Sequence, residues 1–225
     1  MGFSRPIFTA ATLFCISTAS AFAQSAEATF QRAVGEYKAA KTLRAEFQQT
    51  LTNGLTGLKA SARGELLRKQ PDLFSINFHE PASDRIVSDG KSVWLYLPSS
   101  APGQVIKIPV KGTGGVIVDP LNQVLSSSKD DYTIKDAGKA TINGRSTHAV
   151  TIVPKSNDGP FSSATIWVDE KSGIVQQIET KETGGTQRKI VITKYTTGVS
   201  FPASAFQFTV PPKVRVIDQA AMLGQ

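Results

Sequence analysis

Few residues in this chain have the types and spacing that chemistry needs. The two histidines, His79 and His148, stand alone in the sequence. Neither belongs to an H-x-x-x-H pattern, and a metal site needs several converging ligands. His148 with one of the many serines and an Asp would supply the parts of a Ser-His-Asp triad. No G-x-S-x-G elbow presents a nucleophile, however, and availability of parts is not an arrangement. The adjacent acids Asp130-Asp131 and Asp169-Glu170 fall in turns, whereas a glycosidase needs two carboxyls facing one cleft. Asp89 precedes Gly90 and reads as turn chemistry. The loop from Lys111 to Gly115 is rich in glycine but lacks the Lys-Ser/Thr of a phosphate loop. This census favours neither an enzyme nor a metal or organic cofactor.

The ends and the charge narrow the class. Met1 to Ala23 reads as a secretory signal: Arg5 gives the positive region, Pro6 to Ser20 is uncharged, and Ala21-Phe22-Ala23 is a small-x-small cleavage pattern. Cys15, the only cysteine, lies inside that leader. Cleavage would leave residues 24–225 as one domain without a thiol, so neither a disulfide nor a thiolate site is expected after export. The formal charge of the whole chain is +7. Loss of the leader, with its single Arg and no acid, lowers it to +6. Lys and Arg are scattered rather than gathered in a basic stripe with aromatics, which argues against nucleic acid.

The elements are mostly strands. Residues 26–40 predict a helix whose apolar stripe is Ala26, Phe30, Ala33, Val34 and Tyr37. From Leu43 to Leu51 the pattern switches to period two. Strands follow over Lys59 to Lys69, Leu73 to Phe78, Ser92 to Leu97 and Gln104 to Val110. Between them lie turns at Gln70-Pro71-Asp72, at Glu80 to Asp84 and at Asp89-Gly90. A second short helix is expected after Asp119-Pro120, with Leu121, Val124 and Leu125 as its apolar face. Further strands are predicted at Tyr132 to Ala137, Lys139 to Ile142, Arg145 to Pro154, Phe161 to Asp169, Ile174 to Lys181 and Arg188 to Thr196. Alternation at Phe206, Phe208 and Val210 predicts a last one. The total is about ten strands and two helices, in a mainly β (α+β) class with sandwich or barrel spacing.

Phe74, Ile76 and Phe78 share one strand face. Farther along the meander, Trp94 and Tyr96 share one face, and Val93, Leu95 and Leu97 the other. Core packing explains both sets. A large sheet with only two helices nevertheless has much concave apolar surface to cover, and an apolar ligand can cover it.

Several strings resemble the periplasmic lipoprotein carriers of the LolA family. They are Gly64 opening a strand, Pro71-x-x-Phe74, Pro81, and Ile86-Val87-Ser88-Asp89-Gly90-Lys91 leading into Val93-Trp94-Leu95-Tyr96-x-Pro98. Phe47-Gln48 upstream and Phe206-Gln207-Phe208-Thr209-Val210-Pro211-Pro212 downstream add to them. The resemblance implies a half-open antiparallel β-barrel with a lid of two or three short helices. Acyl chains of a lipoprotein would lie between barrel and lid. It also implies a periplasmic, non-enzymatic carrier, with monomer as the default state. Such a carrier takes acylated lipoproteins from an inner-membrane ABC transporter and passes them to an outer-membrane acceptor.

On this resemblance the expected acyl-contact residues are Phe47, Leu66, Phe74, Ile76, Trp94 and Tyr96. The lid underside would be Phe30, Val34 and Tyr37 with Leu121, Val124 and Leu125. One position departs from the family: the Arg that typically precedes the turn proline and latches the lid is Gln70 here. A weaker latch through Gln70, or a substitute in Lys69 or Arg68, is expected. Two alternatives stay open, a LolA-like lipid-binding or envelope-sensing module and a hydrolase with a site assembled from scattered residues.

Overall fold

The computed structural model describes residues 18–110, 120–125, 128–157 and 159–219. Most of the expected leader, the glycine loop at 111–115 and the cap residue Asp119 lie outside them. Helix α1 spans Thr18–Ala39 and is followed by β1 Thr42–Thr52, β2 Lys59–Lys69, β3 Leu73–Glu80, β4 Arg85–Asp89, β5 Ser92–Tyr96 and β6 Gln104–Pro109. Helix α2, Pro120–Leu125, precedes β7 Tyr132–Ile142, β8 Arg145–Pro154, β9 Phe161–Asp169, β10 Val175–Glu182, β11 Gln187–Thr197 and β12 Arg215–Asp218.

All twelve strands form one unclosed sheet in the order β12-β6-β5-β4-β3-β2-β1-β11-β10-β9-β8-β7. Neighbours are antiparallel except β12, which runs parallel to β6. Tight turns suffice for the antiparallel neighbours. The parallel pair needs a long return, here the 105 residues between Pro109 and Arg215.

Three expectations need correction. Residues 132–142 form one strand, not two. A register slip between Asp136 and Lys139 absorbs the irregularity, with Gly138 at φ +83°. Residues 206–210 do not form a strand: a 3-10 turn covers Ala203–Phe206, and the strand comes later, as β12. The first helix begins at Thr18 rather than at Ala26, so its first turns fall within the expected leader.

One apolar cluster fills the concave side. Ala26, Phe30, Ala33, Val34 and Tyr37 of α1 meet Leu121, Val124 and Leu125 of α2 and one face of the sheet, from Val93 and Ile86 across Leu66 and Leu43 to Ile166 and Val150. The stripe spaced three and four apart in the sequence is thus the buried face of α1. Each large side chain so buried contributes about 1.5–3 kcal/mol. Gly64 explains one local feature. It lies between Phe47 of β1 and Phe78 of β3 in the pairing. Lacking a side chain, it lets the two rings meet edge to face at 5.8 Å across β2. A Cβ there would stand 2.4 Å from the Asn77 carbonyl oxygen.

Candidate functional site

The concave apolar sheet under α1 and α2 is the candidate site. Strand pairing sets its floor. One row runs Ala45, Leu66, Ile76, Ile86, Leu95, and the next runs Leu43, Arg68, Phe74, Ser88, Val93. Of the residues expected to touch acyl chains, Phe47, Leu66 and Ile76 are buried in this cluster, and Phe74 packs against it. All six residues of the expected lid face, Phe30, Val34, Tyr37, Leu121, Val124 and Leu125, are buried in it too.

Trp94 and Tyr96 are not there. Val93 and Leu95 of β5 face the core, so alternation turns Trp94 and Tyr96 to the outer side. Phe208 covers them, its ring stacked on Trp94 at 5.6 Å and tilted over Tyr96 at 5.8 Å. Phe206 nearby is buried and meets Phe201 edge to face. The segment after β11 therefore straps the outer face of the meander, and β5 is apolar on both sides because both sides are covered. The string Ser88-Asp89-Gly90-Lys91-x-x-Trp94 is itself a hairpin device. Asp89 Oδ1 accepts the amides of Lys91 and Ser92, both at 2.8 Å. Asp89 Oδ2 accepts the Trp94 indole N–H at 3.0 Å, and Gly90 takes φ +86°. Burial acts against the charge of Asp89, but these donors outweigh it and hold its carboxyl below the ordinary value.

The C-terminal end of α1 is held by β2. Helix ends leave carbonyls without intrahelical partners. Arg68 Nη2 donates to the carbonyls of Tyr37 and Ala40 at 2.7 and 2.8 Å. Gln70 Nε2 donates to those of Lys38 and Ala40 at 2.7 and 3.3 Å. The Arg68 guanidinium also lies 3.9 Å from the centre of the Tyr37 ring. It is buried, its Nε has no hydrogen-bond partner among the described residues, and the helix carbonyls supply its negative end. Nearby Tyr195 is raised above the ordinary tyrosine range by burial, against the opposing pull of Arg68.

Two further tethers hold the helix body. Arg32 donates to the carbonyls of Glu170 and Lys171 in the β9–β10 turn. Asp169 builds that turn by accepting the amides of Lys171 and Ser172. The third tether is a chain from α1 through β8 to β7. Thr29 Oγ1 lies 2.8 Å from His148 Nδ1, and His148 Nε2 lies 2.5 Å from Asp136 Oδ2. The bond to His148 is the main cause of the lowered pKa of Asp136. A hydroxyl, an imidazole and a carboxylate do line up, as the sequence parts allowed. Both ring nitrogens are engaged, Nδ1 joining helix to sheet and Nε2 joining β8 to β7. Sequence reasoning missed Thr29 and Asp136, because no local pattern links positions so far apart.

With α1 and α2 in place, the gap among Ala33, Tyr37, Leu121, Leu125, Val175 and Tyr195 measures only about 10 Å³. That is at the lower limit for one water molecule. Among the described residues, no group of three or more His, Cys, Asp or Glu side chains could hold a metal ion. No described helix is long and apolar enough to cross a membrane.

Comparison with known proteins agrees with this geometry. The family model for the outer membrane lipoprotein carrier protein LolA matches residues 38–209. The chain belongs to the LolA family. It is 28% identical over 213 residues to an outer-membrane lipoprotein carrier protein of Chromobacterium violaceum, covering 91% of this chain and 97% of the relative. A protein of the same description from Serratia proteamaculans is 30% identical, over 78% and 80% of the two chains. Among solved structures, an uncharacterized conserved protein from Thermus thermophilus shares the fold. Its TM-score is 0.55 at 11% identity, over 87% of this chain and all of that one.

Proposed function

We propose that this LolA-family member is a periplasmic carrier, exported by a cleaved signal peptide. It shields the acyl chains of lipoproteins between α1, α2 and the concave sheet, and moves them from the inner to the outer membrane. The observation that carries this reading is the way α1 is held. Its apolar face covers the sheet, while its end and one side are fixed by exchangeable hydrogen bonds from Arg68, Gln70 and Arg32. Such a helix can lift as a lid without unfolding the sheet behind it.

A free acyl chain costs about 0.8 kcal/mol per exposed methylene. Lifting α1 exposes Phe30, Val34 and Tyr37, and an acyl chain in their place covers the same sheet. The two occupants exchange like for like, so neither state is deeply favoured. That balance suits a carrier, which must release what it takes. On this reading the donor is an inner-membrane lipoprotein-releasing ABC transporter and the acceptor lies in the outer membrane. The carrier works as a monomer and without catalysis. Adding the purified protein to spheroplasts that contain the transporter tests the proposal. Release of a newly made lipoprotein as a soluble one-to-one complex is the expected result. Absence of release beside a competent control carrier refutes it.

A further inference from the structure

Two of the large apolar side chains most open to solvent sit together, away from the lid. Leu55 is 95% and Leu58 74% exposed. Both belong to the turn between β1 and β2, and this turn is a built structure. Asn53 Oδ1 accepts the amides of Leu55 and Thr56, each at 2.9 Å. The Asn53 carbonyl accepts the amide of Gly57, the Leu58 carbonyl that of Asn53, and Thr56 Oγ1 that of Leu58. The base of the turn presses on its neighbour: a Cβ on Gly54 would fall 2.1 Å from the Gly185 carbonyl oxygen in the β10–β11 turn.

Two consequences follow. The leucines are displayed on a fixed frame. Five backbone N–H groups of the turn are already bonded within it, so moving it out of water leaves those donors satisfied.

The charge beside the tip has one sign in excess. An open depression of about 540 Å³ across β1, β2 and β9 to β11 is lined by Lys59, Lys181 and Lys189 among hydroxyl side chains, with Glu179 as one acid. Glu179 bonds Lys189 at 3.3 Å, and neighbouring Arg188 is taken by Glu182 at 2.8 Å. Lys59 and Lys181 have no ion pair among the described residues. An apolar pair in front of unneutralised lysines complements a surface with anionic headgroups above acyl chains.

We propose that the β1–β2 turn is a membrane-contacting tip whose partner is an anionic phospholipid surface. Leu55 and Leu58 enter the headgroup boundary, and Lys59 and Lys181 meet the phosphates. Two leucines and two lysines give weak, reversible contact. The inference does not rest on acyl-chain carriage, so the test uses vesicles without lipoprotein and separates its failure from that of the carrier reading.

The purified protein is floated with vesicles of phosphatidylethanolamine and phosphatidylglycerol, and with vesicles of phosphatidylcholine. Binding to the anionic vesicles that weakens with salt is expected. The double variant Leu55→Asp, Leu58→Asp should bind about tenfold less, with an unchanged melting curve. In a second variant, Leu55→Trp, emission should shift to the blue only when anionic vesicles are added. The proposal is overturned if anionic vesicles are not bound, if binding survives the double variant, or if the leucines instead mediate self-association that the double variant abolishes.

Discussion

Arg68 and Gln70 converge on one acceptor, the carbonyl oxygen of Ala40 just beyond α1. One is the last-but-one residue of β2, and the other follows the strand into the turn. Gln70 stands where the resemblance implies an arginine. The guanidinium sits two residues earlier, on the concave face beside Leu43 and Phe74. The hold on the end of α1 is therefore shared between Gln70 and Arg68.

Replacing Gln70 with Ala removes neutral hydrogen bonds at a partly exposed place and should cost about 0.5–1.5 kcal/mol. Arg68→Ala removes charged bonds and the ring contact, and should cost about 1.5–3 kcal/mol. In either single variant the other side chain still serves Ala40, so the double variant should lose more than the sum. Denaturant unfolding measures these costs. Amide exchange in the last turn of α1 should quicken in the same order.

Much of this fold is legible in the sequence for identifiable reasons. Strands β8 and β9 fall at their expected limits because the turns beside them are set by local chemistry, such as Asn143 and Gly144 at φ +51° and +75°. The face of α1 is legible because its stripe has only one side to bury. The face of β5 is not. Val93 and Leu95 compete with Trp94 and Tyr96 for the core, and what covers the second pair is Phe208, more than a hundred residues later. Local alternation carries no information about so distant a partner. Trp94 and Tyr96, expected among the acyl contacts, lie on the outer side for that reason, whereas Leu66 and Ile76 lie in the buried cluster with α1 and α2.

The two faces of the meander should therefore separate in experiment. Trp94→Ala loses the stack with Phe208 and should cost about 1.5–3 kcal/mol of stability while leaving uptake of a fluorescent fatty-acyl probe unchanged. Ile76→Ala, on the concave side, should cost about 2–5 kcal/mol and also weaken uptake. Probe titration at matched folded fraction distinguishes them.

Phe206 is 4% exposed and fixes the strap on the outer face. Phe206→Ala should cost about 3–5 kcal/mol, as expected for a buried ring. The loss should appear as cooperative unfolding of the sheet rather than faster opening of α1, which proteolysis and amide exchange can tell apart.

Acid should loosen the turn that holds Arg32. Burial opposes the charge of Asp169, but the amides of Ser172 and Lys171 and the Arg145 side chain prevail, and its carboxyl lies below the ordinary 3.8. A depressed carboxyl contributes stability that is complete above its ordinary value and is lost as pH falls through the folded one. Asp89 and Asp136 act in the same direction. Stability should hold from neutral pH down to about pH 5 and fall below about pH 4. Asp169→Asn should lower stability at neutral pH and flatten the acid decline, as read by denaturant titration across that range.

The central claim is that acyl chains lie on the concave sheet under α1. Photo-crosslinking in cells tests it most directly, with p-benzoylphenylalanine placed in turn at Ile76 and at Trp94. The account predicts a crosslinked lipoprotein from position 76, lost when acylation of the lipoprotein is blocked, and none from position 94. A lipoprotein crosslink at position 94, or acylation-independent crosslinking at 76, would contradict it.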